Sequence, residues 1–74
     1  MRSAVGYWVK INYERNVYVV DLERVSAFAF TPNGRLSFYL PEGGTHMILN
    51  QQGHPEAFQQ VMDYVEKSTG HTLP

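Results

Sequence analysis

"VSAFAFTPNGRLSFYLPEGGTHMILN", residues 25–50, holds three runs of strand-forming residues separated by two sets of turn residues. TPNG (31–34) is the strongest local signal, because proline presets φ for a turn and Asn-Gly tolerates the positive φ that closes a hairpin. RLSFYL (35–40) alternates Leu36, Phe38 and Leu40 against Arg35, Ser37 and Tyr39, the period of a half-buried strand. PEGG (41–44) marks a second turn, and THMILN (45–50) reads as a further strand. Connections this short favour antiparallel pairing, since parallel strands need long crossovers.

The same signals extend upstream. YWVKINY (7–13) alternates Tyr7, Val9, Ile11 and Tyr13 against Trp8, Lys10 and Asn12. After the polar turn ERN, VYVVDL (17–22) is rich in β-branched and aromatic residues, which suit a pleated surface. VSAFAF (25–30) is the third strand, with Phe28 and Phe30 on one face. Downstream the period changes. Phe58, Val61, Met62 and Val65 fall at i, i+3, i+4 and i+7, a helical stripe, with Pro55 suited to the first turn and Lys67 and Gly70 to the stop. The expectation is an α+β fold in one domain, 1–74: an antiparallel meander of about five strands (7–13, 17–22, 25–30, 35–40, 45–50), then one helix over about 55–68 packed on one sheet face.

One helix covers one face, yet apolar residues occur on both. Trp8 opposes Tyr7, Val9 and Ile11; Val17 and Val19 oppose Tyr18, Val20 and Leu22; Ile48 opposes Met47 and Leu49. A sheet with one solvated face alternates more cleanly. The sheet can curl into a half-barrel, pair face to face with a second copy, or receive a partner or apolar ligand. A 74-residue chain without cysteine has no disulfide to supplement a small core, so a homodimer is the favoured solution. In outline, residues 17–68, a meander followed by an amphipathic helix, resemble the second half of a bacterial PH-like domain. The resemblance implies the curled, partial PH-like arrangement as the alternative fold and carries no site residue.

Composition narrows function. Zero cysteines exclude thiolate nucleophiles and cysteine-ligated metal clusters. Six Lys/Arg stand against seven Asp/Glu and are scattered singly, whereas a nucleic-acid binder concentrates positive charge. No apolar run is long enough to span a membrane, and MRSAVGYWVK lacks a signal peptide's apolar core, so a cytoplasmic setting is expected. His46 and His54 lie eight positions apart with Glu42 and Glu56 nearby, but neither they nor His71 fall at a known zinc spacing. Asp21 and Glu23 sit at a corner beside Arg15 and Arg24, where solvation or salt bridging is the expected role. No serine lies in a nucleophile elbow, and PEGG is a turn without the following Lys-Ser/Thr of a phosphate loop.

Aromatics carry the remaining signal. Tyr7, Trp8, Tyr13, Tyr18 and Tyr39 can form a platform on the second sheet face, suited to a protein interface or to base stacking. With a net charge of −1, protein contact is favoured. The expected function is a small non-enzymatic interaction module, without catalytic, metal or cofactor residues, that self-associates or binds a partner protein. The alternative is a small ligand or single-stranded nucleic acid on the same face.

Overall fold

A computed structural model describes residues 6–73. The elements follow the expected order: β1 (Trp8–Tyr13), β2 (Asn16–Asp21), β3 (Ala29–Phe30), β4 (Arg35–Tyr39), β5 (His46–Asn50) and α1 (Pro55–Thr69). Strands adjacent in sequence pair antiparallel, with one exception. The ladder breaks between β2 and β3, leaving sheets of two strands (β1-β2) and three strands (β3-β4-β5) and no closed barrel.

The break has a local cause at residues 21–24. The Asp21 carboxylate ends β2 by accepting hydrogen bonds from the Tyr7 and Glu23 N–H groups at 2.9 and 3.0 Å. Leu22–Arg24 then winds into one 3₁₀ turn, and Val25–Phe28 is irregular before β3 begins. The strand expected over 25–30 is therefore only two residues long. Asp21 is also buried rather than solvated at a corner, and Arg24 pairs with Glu42, not with Asp21. A carboxylate bound by N–H groups on both sides of a chain reversal stabilises the turn as an N-cap does a helix. Gly6 adjoins it at φ +90°, where an added Cβ would come within 2.5 Å of Asp21 Oδ2.

Each hairpin turn has its own solution. At TPNG, the Gly34 N–H donates to the Thr31 C=O at 2.9 Å and the Thr31 N–H to the Arg35 C=O at 2.8 Å. Only Gly34 takes positive φ (83°); Asn33 does not, so this is a turn closed by a left-handed glycine rather than an Asn-Gly type I′ turn. The β1-β2 turn takes positive φ at two residues that are not glycine, Glu14 (50°) and Arg15 (71°), between the paired Tyr13 and Asn16. Side chains rarely adopt this conformation without strain.

Both sheets direct one face at the helix. Val9, Ile11, Val20, Leu36, Phe38, Met47 and Leu49 form one buried cluster with Leu22 and with Ala57, Phe58, Val61, Tyr64 and Val65 of α1. Phe28 and Phe30 seal its margin, with ring centroids 6.0 Å from Tyr64 and 6.4 Å from Phe58 respectively. The helical stripe differs from the expected one at three positions: Ala57 and Tyr64 are buried and Met62 only partly so. His54 is the N-cap residue, Pro55 starts the helix, and the Gly70 N–H closes it on the Glu66 C=O at 3.0 Å.

Replacing Glu14-Arg15 by Asn-Gly should raise unfolding stability by about 1 kcal/mol, since the new residues accept positive φ at lower cost. Asp21→Ala should lower it by about 1–3 kcal/mol by leaving two backbone donors without their acceptor. Chemical denaturation of both variants measures these shifts.

Candidate interaction surface

Alternation that buries one face of each sheet leaves the other in solvent. On the β1-β2 hairpin the outer face carries Trp8, Lys10 and Asn12 from β1 and Val17 and Val19 from β2, with Val17 opposite Asn12 and Val19 opposite Lys10. On the second sheet it carries Arg35 and Tyr39 from β4 and His46 and Ile48 from β5. Trp8, Val17, Val19 and Tyr39 are 58%, 60%, 64% and 60% exposed, and Ile48 is exposed as well. Large apolar side chains of this kind are ordinarily the first a small fold withdraws from water.

The aromatics divide by face. Tyr39 stacks on its cross-strand partner His46, with ring centroids 4.3 Å apart and planes 11° from parallel. Trp8 stands on the outer face of β1. Tyr7, just before β1, keeps partial exposure and sets its ring 5.0 Å from Tyr64 of the helix. Tyr13 and Tyr18 face inward and pack against the core, their rings 6.5 Å apart. The Tyr13 hydroxyl also accepts the Ile48 N–H at 3.1 Å, joining β1 to the outer edge of β5. The five rings therefore do not form one platform. Val17, Val19 and Ile48 belong to the exposed apolar set, and their alternation with the partly buried Tyr18 and the buried Val20, Met47 and Leu49 was the available signal for them.

A groove separates the two sheets along β2. Trp8, Val19 and Asp21 form one wall, Leu40 and Pro41 the other, and the Arg24–Glu42 ion pair closes one end at 3.2 Å. Both charged side chains are well exposed, so the pair contributes little to stability. It orders the groove's end rather than anchoring the fold.

The structure separates the polar residues with catalytic or ligating potential. His46 lies under the Tyr39 ring, and His54 sits at the helix N-cap with its ring 5.5 Å from Tyr13. The His54 side chain makes no cap hydrogen bond, and its buried Nδ1 has no hydrogen-bond partner among the described residues. Among the described residues no group of three or more His, Cys, Asp or Glu side chains converges in a way that could hold a metal. Glu42 is engaged with Arg24, and Asp63 accepts from the Gln59 amide at 2.9 Å on the helix. No helix among the described residues is long and apolar enough to cross a membrane.

The division of aromatics predicts two classes of variant. Tyr39→Ala should change stability by less than about 1 kcal/mol, because the ring is mostly in water. Tyr13→Phe should cost about 0.5–1.5 kcal/mol through the lost bond to Ile48. Thermal unfolding of the two variants side by side checks the order. Comparison of the chain with protein-family models, curated proteins and solved structures finds no match.

Proposed function

We propose that the chain is a non-enzymatic interaction module that self-associates as a homodimer through the outer side of its sheets. One observation carries this reading: Trp8, Val17, Val19, Tyr39 and Ile48 remain in solvent on the faces turned away from the helix. A second copy suits the surface better than a charged partner does. Lys10, Arg35, Glu42 and Glu23 are interspersed around the patch, and the net charge is −1, so no field of one sign repels an identical molecule. A chain of 74 residues also gains proportionally more than a large domain from burying further apolar surface.

Base stacking on the same side is the weaker reading. It would rest on Trp8 and Tyr39 alone, since Tyr13 and Tyr18 are turned into the core, and no basic stripe accompanies them. Sedimentation velocity over roughly a hundredfold range of concentration should show the sedimentation coefficient rising toward a dimer limit. Trp8→Ala should shift that rise to higher concentration while leaving the circular dichroism spectrum unchanged. A single monomeric species throughout would overturn self-association. Quenching of Trp8 fluorescence by single-stranded oligonucleotides, weakening with added salt, would favour the nucleic-acid reading instead.

A further inference from the structure

The TPNG turn closes the β3-β4 hairpin with a pair of residues, Asn33 and Gly34, that can react with each other. The backbone nitrogen after an asparagine can attack the carboxamide carbon, Cγ, and close a succinimide ring. A side chain on the following residue hinders that approach, and glycine has none. The chain has four asparagines, at 12, 16, 33 and 50, followed by Tyr13, Val17, Gly34 and Gln51. Only Asn33 stands before an unhindered nitrogen. The turn requires glycine at 34, where φ is 83°, so its geometry brings the reactive pair with it. Asn33 is also exposed, which gives water access to any ring that forms.

The folded turn opposes the reaction through one residue, Thr31. The Gly34 N–H, whose nitrogen is the attacking group, donates to the Thr31 C=O at 2.9 Å. The Thr31 hydroxyl donates to Asn33 Oδ1, on the carboxamide that is attacked. That hydroxyl also accepts the Arg35 N–H at 3.1 Å, and the Thr31 N–H donates to the Arg35 C=O at 2.8 Å. Thr31 therefore holds both reacting groups and is itself fixed to the start of β4. Cyclisation needs the carboxamide to rotate toward the Gly34 nitrogen and the N–H to give up its proton. Both movements break contacts made by Thr31.

We propose that Asn33-Gly34 is a spontaneous deamidation site that Thr31 holds unreactive in the folded turn, so that modification follows opening of the hairpin. The step balances with water as the only co-reactant. The Gly34 nitrogen bonds to Asn33 Cγ, and its proton leaves with the carboxamide NH2 as ammonia. Water then opens the succinimide at either carbonyl, leaving aspartate or isoaspartate at position 33. Either product adds a negative charge to a chain of net charge −1, and isoaspartate also inserts a methylene into the main chain. The lesion falls beside the shortest strand. β3 pairs with β4 only through Ala29–Ser37 and Phe30–Leu36, and Phe30 seals the core margin against Phe58. A lengthened turn shifts the register that places Phe30.

Incubating the unaltered chain at neutral pH, folded in buffer and unfolded in urea, tests this by peptide mapping with mass spectrometry. The readout is the fraction of the Asn33 peptide that gains mass as NH2 is replaced by OH. Folding should slow that gain about tenfold or more, a ratio set by how rarely the turn opens. Thr31→Val removes the hydroxyl but keeps the branched outline, and should speed the folded chain's reaction about threefold or more. Thr31→Ser keeps the hydroxyl and should react at the unaltered rate. Asn33→Gln should abolish the gain at this site in both states. Should Thr31→Val fail to fold, the comparison of folded and unfolded unaltered chain decides alone. Equal rates in the two states would overturn the protection, and an unfolded chain that gains no mass at Asn33 would overturn the site itself.

Discussion

A single helical stripe provides the cover for two sheets, and the rest of the architecture follows from that limit. Ala57, Phe58, Val61, Tyr64 and Val65 present one narrow apolar band. Two flat sheets side by side would extend beyond it. Dividing the strands into a pair and a triplet lets both inner faces incline toward the same helix, and α1 packs against β1 from one sheet and β5 from the other. The consequence is a core in which Ile11, Leu36, Met47, Leu49 and Val61 lose all contact with water, while the opposite sides of the same strands keep large apolar residues exposed.

The division is held by polar contacts at its margins. Asp21 ends β2, ties the Tyr7 backbone to the 3₁₀ turn and redirects the chain toward the second sheet. The Tyr13 hydroxyl joins the far end of the hairpin to β5. Both contacts use a buried or half-buried side chain to satisfy backbone donors where no ladder reaches, so the hairpin docks as a unit although it shares no strand pairing with the triplet. The groove lined by Val19, Asp21, Leu40 and Pro41 marks where that docking leaves the sheets apart.

Much of this arrangement was legible in the sequence. The period-2 runs located β1, β2, β4 and β5 to within a residue at each end, and the change to a helical period located α1. What escaped notice depended on tertiary or unusual backbone conformation. VSAFAF has strand composition, yet Asp21 and the following 3₁₀ turn consume the length a full third strand would need. Glu14 and Arg15 both take positive φ although neither residue type favours it, because the register of β1 with β2 leaves only two residues to reverse the chain. The surface was read by residue type, which grouped five aromatic rings. Facing decides instead, and it separates Tyr13 and Tyr18 from Trp8 and Tyr39 while adding Val17, Val19 and Ile48. Strand parity contained that information, since Tyr18 alternates with the two exposed valines.

A second copy covering the exposed side of the sheets, as proposed, makes stability depend on concentration. A dimer that dissociates on unfolding adds a mass-action term that a monomer lacks. The most direct measurement is the urea unfolding midpoint of the unaltered chain at two protein concentrations differing roughly a hundredfold. Self-association predicts a higher midpoint at the higher concentration. An identical midpoint at both, with monomer as the folded species, would contradict it.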